Sequence, residues 1–145
     1  EVPELTDGTV ELRAIAREAG SRTKIAVFSN DPNVDPKGAC VGSRGSRVRQ
    51  IVNELKGEKL DVVEWREDKV RFIIEALGPA DIDEVILDED TKSAKVIVKD
   101  SQLSLAIGKE GQNARLAAKL TGYKIDIEGL GDSPPEEEEP TKEEE

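Results

Sequence analysis

Histidine is absent from the 145 residues, and with it any mechanism that needs an imidazole base or ligand. The single cysteine, Cys40, can form neither an internal disulfide nor a thiolate zinc site, so a reducing, cytoplasmic setting is the default expectation. Aromatic residues make up 3% of the chain, too few for a row of ring platforms under stacked bases. No apolar run approaches the ~20 residues of a membrane-spanning helix. The opening Glu1-Val2-Pro3-Glu4 does not read as a secretory signal. Methionine is missing too, initiator included, so the chain is expected to be processed or cut from a longer protein. No residues form a recognisable catalytic constellation; an enzyme is the weakest reading, and neither a cofactor nor a metal is expected.

Charge is abundant. Charged residues make up 37% of the chain and the net charge is −11. It divides unevenly: residues 1–67 carry −1, residues 68–131 carry −3, and residues 132–145 carry −7 with three prolines. The last segment is expected to be a disordered, self-repelling acidic tail. Within the body the signs separate. Lys37 to Arg49 holds Lys37, Arg44, Arg47 and Arg49 with no acid, and Asp81 to Asp90 holds six acids with no base. The basic stretch suits a polyanion. The acidic run reads as a solvated hairpin or protein-contact face rather than a metal site.

One unit occurs twice. Val41-Gly42-Ser43-Arg44-Gly45 matches Ile107-Gly108-Lys109-Glu110-Gly111 at an offset of 66, and Leu55 to Val62 matches Leu120 to Ile127 at an offset of 65. Upstream of each G-x-x-G, alternating apolar residues predict a β-hairpin: Val10 to Ala16 with Ile25 and Val27, and Val85 to Leu87 with Val96 to Val98. A short helix follows in each unit, capped by Asp35 with Pro36 first in one and by Ser101 in the other. The second helix carries Val48, Ile51, Val52 and Leu55 in one unit, and Ala114, Ala117 and Ala118 flanked by Leu116 and Leu120 in the other. Gly57 and Gly122 suit the helix ends, and a final strand closes each unit. A leading helix is predicted over Lys69 to Leu77; its counterpart in the first unit is truncated to Glu1 to Asp7. Cys40 reads as a small buried hydrophobe. Trp65 reads either as a seam between units or as an ordinary core residue.

A G-x-x-G between two helices lets the backbone turn tightly and approach a ligand, while the following helix presents free N–H groups and its positive dipole end. Arg44 and Lys109 add a cation to each loop. Occurring twice, after a hairpin each time, this resembles the K homology (KH) arrangement, whose loop clamps about four nucleotides of single-stranded nucleic acid. The candidate RNA-binding residues are Gly42, Ser43, Arg44, Gly45, Arg47 and Arg49, and Gly108, Lys109, Glu110, Gly111, Gln112, Asn113 and Arg115. Several of these have a plainer alternative. Arg47 and Arg49 fit a solvated helix surface, Arg115 a structural ion pair, and Gln112 and Asn113 a helix cap. Glu110 repels phosphate and is included only as a loop member.

Several stretches resemble the tandem type II KH region of the NusA family: Asp7-Gly8-Thr9-Val10, Ile15-Ala16-Arg17-Glu18, Arg22 to Val27, and Asp31-Pro32-Asn33-Val34-Asp35-Pro36. The most specific is Gln102 to Lys109 continued by Gly111 to Ala117. The resemblance covers roughly residues 1–130. It implies an α+β chain of two tandem type II KH domains, each α-β-β-α-α-β with a three-stranded sheet covered by helices. The expected bounds are 1–67 and 68–131, followed by the tail at 132–145. It also implies an RNA-binding module of a transcription elongation factor that modulates pausing, termination and antitermination. The implied partners are single-stranded nascent RNA, RNA polymerase through upstream domains, and other antitermination factors. A KH module of a ribosome- or translation-associated protein, and a protein-interaction scaffold using acidic surfaces, are the rivals.

Overall fold

The periodicities of the sequence place the elements of the computed structural model, which describes residues 2–130; the expected acidic tail lies outside them. The first half contains α1 (Pro3–Thr6), β1 (Val10–Glu18), β2 (Arg22–Ser29), α2 (Pro36–Val41), α3 (Ser46–Glu54) and β3 (Lys59–Glu64). The second contains α4 (Lys69–Ala76), β4 (Glu84–Asp88), β5 (Ser93–Val98), α5 (Asp100–Ile107), α6 (Gln112–Thr121) and β6 (Lys124–Gly129). The fold is α+β, with two separate three-stranded sheets ordered β1-β2-β3 and β4-β5-β6. In each, the hairpin strands are antiparallel and the last strand returns parallel to the middle one. A parallel return needs a crossover, which the two helices and their loop supply.

The chain divides into two compact units, Glu1–Ala76 and Leu77–Glu145. By chain order α4 is expected to open the second repeat. By packing it lies with the first, against β3 and with the Phe72 ring 6.2 Å from Trp65. Within that unit Trp65 also meets Phe28 edge-on at 5.6 Å. The helices cover one sheet face through Val10, Val27, Cys40 and Val62, with Ile25, Val48, Ile51 and Leu60 around them. Cys40 is buried, as its neighbours require, and burial pushes its thiol pKa up. In the second unit the buried residues include Leu77, Ala94, Val96, Val98, Ala106, Leu116, Ala117 and Leu120.

Asp35 caps α2 as expected, accepting from the Lys37 N–H at 3.1 Å. The second cap differs: α5 starts at Asp100, Lys99 takes the cap position, and no side chain caps it. Ser101 is therefore inside the helix. The first unit also buries charge. Lys24 is fully buried with Nζ 2.7 Å from Asp61, which Arg22 also contacts at 2.5 Å. Burial pulls the Lys24 ammonium below its usual pKa, with the Asp61 carboxylate opposing. Glu58 accepts from Arg17 Nε and Nη2, both at 2.8 Å, from the Gly20 N–H at 3.0 Å, and from the Thr23 hydroxyl. The Arg17 bonds lead in holding its carboxyl down at about 2, with Thr23 and Gly20 assisting.

Candidate nucleic-acid interface

Both G-x-x-G loops adopt one backbone conformation. Gly42 lies at φ 79°, ψ 173° and Gly108 at φ 83°, ψ 167°. Arg44 at φ 54°, ψ 31° and Glu110 at φ 56°, ψ 27° both occupy the left-handed region that non-glycine residues rarely enter. Gly45 (φ 76°, ψ 16°) and Gly111 (φ 77°, ψ 10°) follow in the same region. In each loop the last glycine N–H donates to the carbonyl of the first at 3.1 Å. The first glycine is fixed by crowding as well. A Cβ on Gly42 would stand 2.8 Å from the Arg47 backbone nitrogen, and one on Gly108 2.6 Å from that of Asn113. Only a residue without a Cβ lets the next helix start this close.

That helix start gives the loop its chemistry. Neither α3 nor α6 has a side-chain cap; a left-handed glycine precedes each. Their first-turn N–H groups and positive dipole ends lie at the turn, an arrangement suited to a phosphate oxygen. Arg44 and Lys109 are both exposed beside it, as is Glu110. Ser43 is exposed, and Gln112 opens α6 half-buried. On α5 and the second loop, Leu103, Ser104, Ile107, Gly108 and Lys109 line a cleft of about 400 Å³. A larger cleft of about 670 Å³ in the first unit, lined by Arg13, Phe28, Trp65 and Arg71 among others, includes no loop residue.

The remaining candidates fall into two groups. Arg49 and Arg115, one turn into their helices, each bind the carbonyl of the left-handed loop residue: Arg49 Nη1 donates to Arg44 O at 2.5 Å, and Arg115 Nη1 to Glu110 O at 3.0 Å. Both remain exposed, so each guanidinium braces the loop while facing solvent. Arg47 and Asn113 turn inward. Arg47 Nη1 donates to Ala39 O at 2.6 Å and pairs with Glu4 at 2.8 Å. Asn113 is fully buried, and its Nδ2 donates to Leu77 O at 3.0 Å and Ala106 O at 2.9 Å. This corrects the sequence expectation for Asn113. Its carboxamide holds the end of α5 to the start of α6 and cannot reach a ligand from there.

The buried stripe of α6 is accordingly Asn113, Leu116, Ala117 and Leu120, spaced i, i+3, i+4, i+7. The sequence pattern starts that stripe at Ala114, because an asparagine beside a glycine loop reads as polar surface. Sequence reasoning missed the bracing role of Arg49 and Arg115. The available signal was their shared position, four residues after the last glycine of each loop.

Comparisons with known proteins agree with this geometry. Residues 1–65 match the family model of the NusA-like first KH domain, and residues 69–134 that of the NusA-like second KH domain. A Bacillus subtilis protein named transcription termination/antitermination protein NusA is 62% identical over 133 residues, covering 92% of this chain and 36% of its own length. Proteins of the same name from Halalkalibacterium halodurans and Mycobacterium tuberculosis are 64% and 56% identical, covering 88% and 93% of this chain. The chain spans about a third of the length of these relatives: 36%, 33% and 39%. The crystal structure of APE1850 is similar in fold alone, with a TM-score of 0.62 at 24% identity over 88% of this chain and 94% of that one.

Proposed function

We propose, on the premise that the chain belongs to the family of NusA-like tandem KH domains, that it binds single-stranded nascent RNA through its two G-x-x-G loops. The observation that carries this reading is the duplicated loop. One backbone conformation is built twice, each time at the uncapped start of a helix and each time with an exposed cation, Arg44 or Lys109. The proposed contacts are Gly42, Ser43, Arg44 and Gly45 in the first loop and Gly108, Lys109, Glu110, Gly111 and Gln112 in the second. Arg49 and Arg115 support the loops from behind. Arg47 and Asn113 have structural roles in this reading.

Within a longer protein, this module would bring nascent RNA to a transcription elongation factor that modulates pausing, termination and antitermination. The names of the relatives support that role. RNA polymerase, engaged mainly through regions outside this chain, and other antitermination factors are the proposed protein partners, and the cytoplasm is the proposed setting. The role is binding rather than catalysis. We take residues 1–67 and 68–131 as the two KH domains, with α4 leading the second; the second family match, which starts at residue 69, supports that division.

The test is titration of a labelled single-stranded RNA of about 12 nucleotides at low and moderate salt. The wild type is compared with a variant carrying Ser43→Asp, Arg44→Asp, Lys109→Asp and Glu110→Asp. Salt-sensitive binding that is lost in the variant is the expected result. A wild type that fails to bind at low salt would overturn the reading in favour of a protein-interaction scaffold.

A further inference from the structure

The two repeats treat one sheet face differently. In the first sheet Lys24 stands opposite Asp61 and Ala26 opposite Val63; in the second, Lys95 stands opposite Asp126 and Ile97 opposite Glu128. By alternation both sets lie on the face away from the core residues, Val27 and Val62 in one unit and Val96 and Val98 in the other. In the first unit α4 lies against β3 and this face is closed, with Lys24, Ala26 and Val63 buried. In the second the same positions are open: Lys95, Asp126 and Glu128 are exposed and Ile97 is half-buried. The match extends past the strands. The Trp65 N–H donates to Val27 O at 2.7 Å and the Leu130 N–H to Val98 O at 2.9 Å, so Leu130 takes the place of Trp65. Trp65 has the Phe72 ring of α4 6.2 Å away, whereas Leu130 is 52% exposed. On the adjoining strand Ile86, opposite Lys95, is 48% exposed.

A face that holds Ile86, Ile97 and Leu130 gains by being covered, and its charge decides by what. Glu84, Asp88, Asp126 and Glu128 share it with Lys95 and Lys124. Lys95 lies 3.5 Å from Glu128, and Lys99, at the corner, lies 3.6 Å from Asp83, so these bases are matched within the face. The excess of acid repels RNA, the −7 segment of residues 132–145, and the same face of a second copy. It attracts a basic partner. α4 shows the form that fits such a sheet: Lys69 and Arg71 stand beside a buried stripe of Phe72, Ile73 and Ala76. We propose that the open face of β4, β5 and β6 docks a basic amphipathic helix of another protein, in the manner in which α4 docks on the first sheet. The apolar stripe of that helix covers Ile86, Ile97 and Leu130, and its lysine or arginine side chains meet Glu84, Asp126 and Glu128.

The experiment titrates the whole chain with a synthetic peptide of about 18 residues, Leu at helical i, i+3, i+4 and i+7 spacing and Lys elsewhere. Amide NMR signals of the open face are expected to shift, while those of both G-x-x-G loops stay in place. Ile86→Ser with Leu130→Ser is expected to weaken binding about three- to tenfold. Asp126→Asn with Glu128→Gln is expected to weaken it about two- to fivefold, more at low salt than at high. Glu137→Gln with Glu138→Gln removes the same charge from the acidic segment and is expected to change binding by less than about twofold. Circular dichroism checks that each variant is folded.

A peptide that shifts no signal on this face would overturn the proposal. So would equal binding of a matched peptide with Glu in place of Lys, which removes the role of charge. Weakening by the Glu137→Gln, Glu138→Gln variant as large as that by Asp126→Asn with Glu128→Gln would reduce the effect to net charge and overturn it too. The last arm repeats the RNA titration. A fall in RNA affinity in the Ile86→Ser, Leu130→Ser variant would give the face to RNA rather than to a protein helix.

Discussion

Arg115 donates from Nη1 to the backbone oxygen of Glu110 at 3.0 Å, and so ties the first turn of α6 to the left-handed third residue of its own loop. Arg49 repeats the contact with Arg44. The carbonyl of a left-handed residue is thereby held, and with it the plane of the following peptide. Replacing Arg49 and Arg115 together by Gln is expected to weaken RNA binding about three- to tenfold per loop, the scale of one lost hydrogen bond. The readout that separates bracing from phosphate contact is the salt slope. A brace leaves it nearly unchanged, while two lost phosphate contacts would make it shallower by about 1.4.

The first glycine of each loop faces a harder constraint than the last. Gly108→Ala brings a Cβ within 2.6 Å of backbone that belongs to α6, whereas at Gly111 the nearest outside atom is a movable Arg115 nitrogen at 3.6 Å. Both positions have positive φ. Thermal unfolding should therefore show Gly108→Ala to be the more destabilising, by about 1–2 kcal/mol over Gly111→Ala. Equal losses would mean that φ alone governs both sites.

Asn113 joins two segments of the second unit through one nitrogen. Asn113→Ala leaves the Leu77 and Ala106 carbonyls without that donor and is expected to cost about 1–3 kcal/mol in denaturant unfolding. Asn113→Asp should cost more, since it sets a carboxylate against two carbonyl oxygens in a buried site. RNA affinity of whatever fraction stays folded should be nearly that of the wild type; a loss of affinity in fully folded protein would return Asn113 to the contact surface.

Glu58 makes the first unit sensitive to acid. Its folded carboxyl is lowered from 4.5 to about 2 by the bonds from Arg17, Thr23 and Gly20. A lowered carboxylate stabilises the fold above its unfolded value, and that contribution disappears as pH falls through the folded one. Stability measured by denaturant should thus decline between roughly pH 4.5 and pH 2, and Glu58→Gln should flatten that part of the profile. An unchanged profile in the variant would assign the acid loss to other carboxylates.

Much of this protein is written locally. The alternation of Val10 to Ala16 marks a strand, with Val10 and Ala16 buried, although a register shift between Leu12 and Ala14 leaves Leu12 exposed; Asp35-Pro36 starts a helix by capping and by its fixed φ. The repeat at offset 66 marks both loops in the sequence, because a turn with positive φ and no room for a Cβ demands glycine wherever it is used. The charged and amide side chains were harder to place. Arg47 lies in a basic stretch and Asn113 beside a glycine loop, and nothing in either neighbourhood says that the side chain turns inward. Glu58 depends on Arg17, 41 positions away, and Lys24 on Asp61, 37 away.

The sequence by itself determined the elements, their order, the duplication and the loops, since each follows from steric and periodic rules acting over a few residues. Only the tertiary structure decided which polar groups face solvent and which brace the fold. A long polar side chain takes its partner from whatever the folded chain brings within about 3 Å, and strand register and helix crossing set that, not neighbours in sequence.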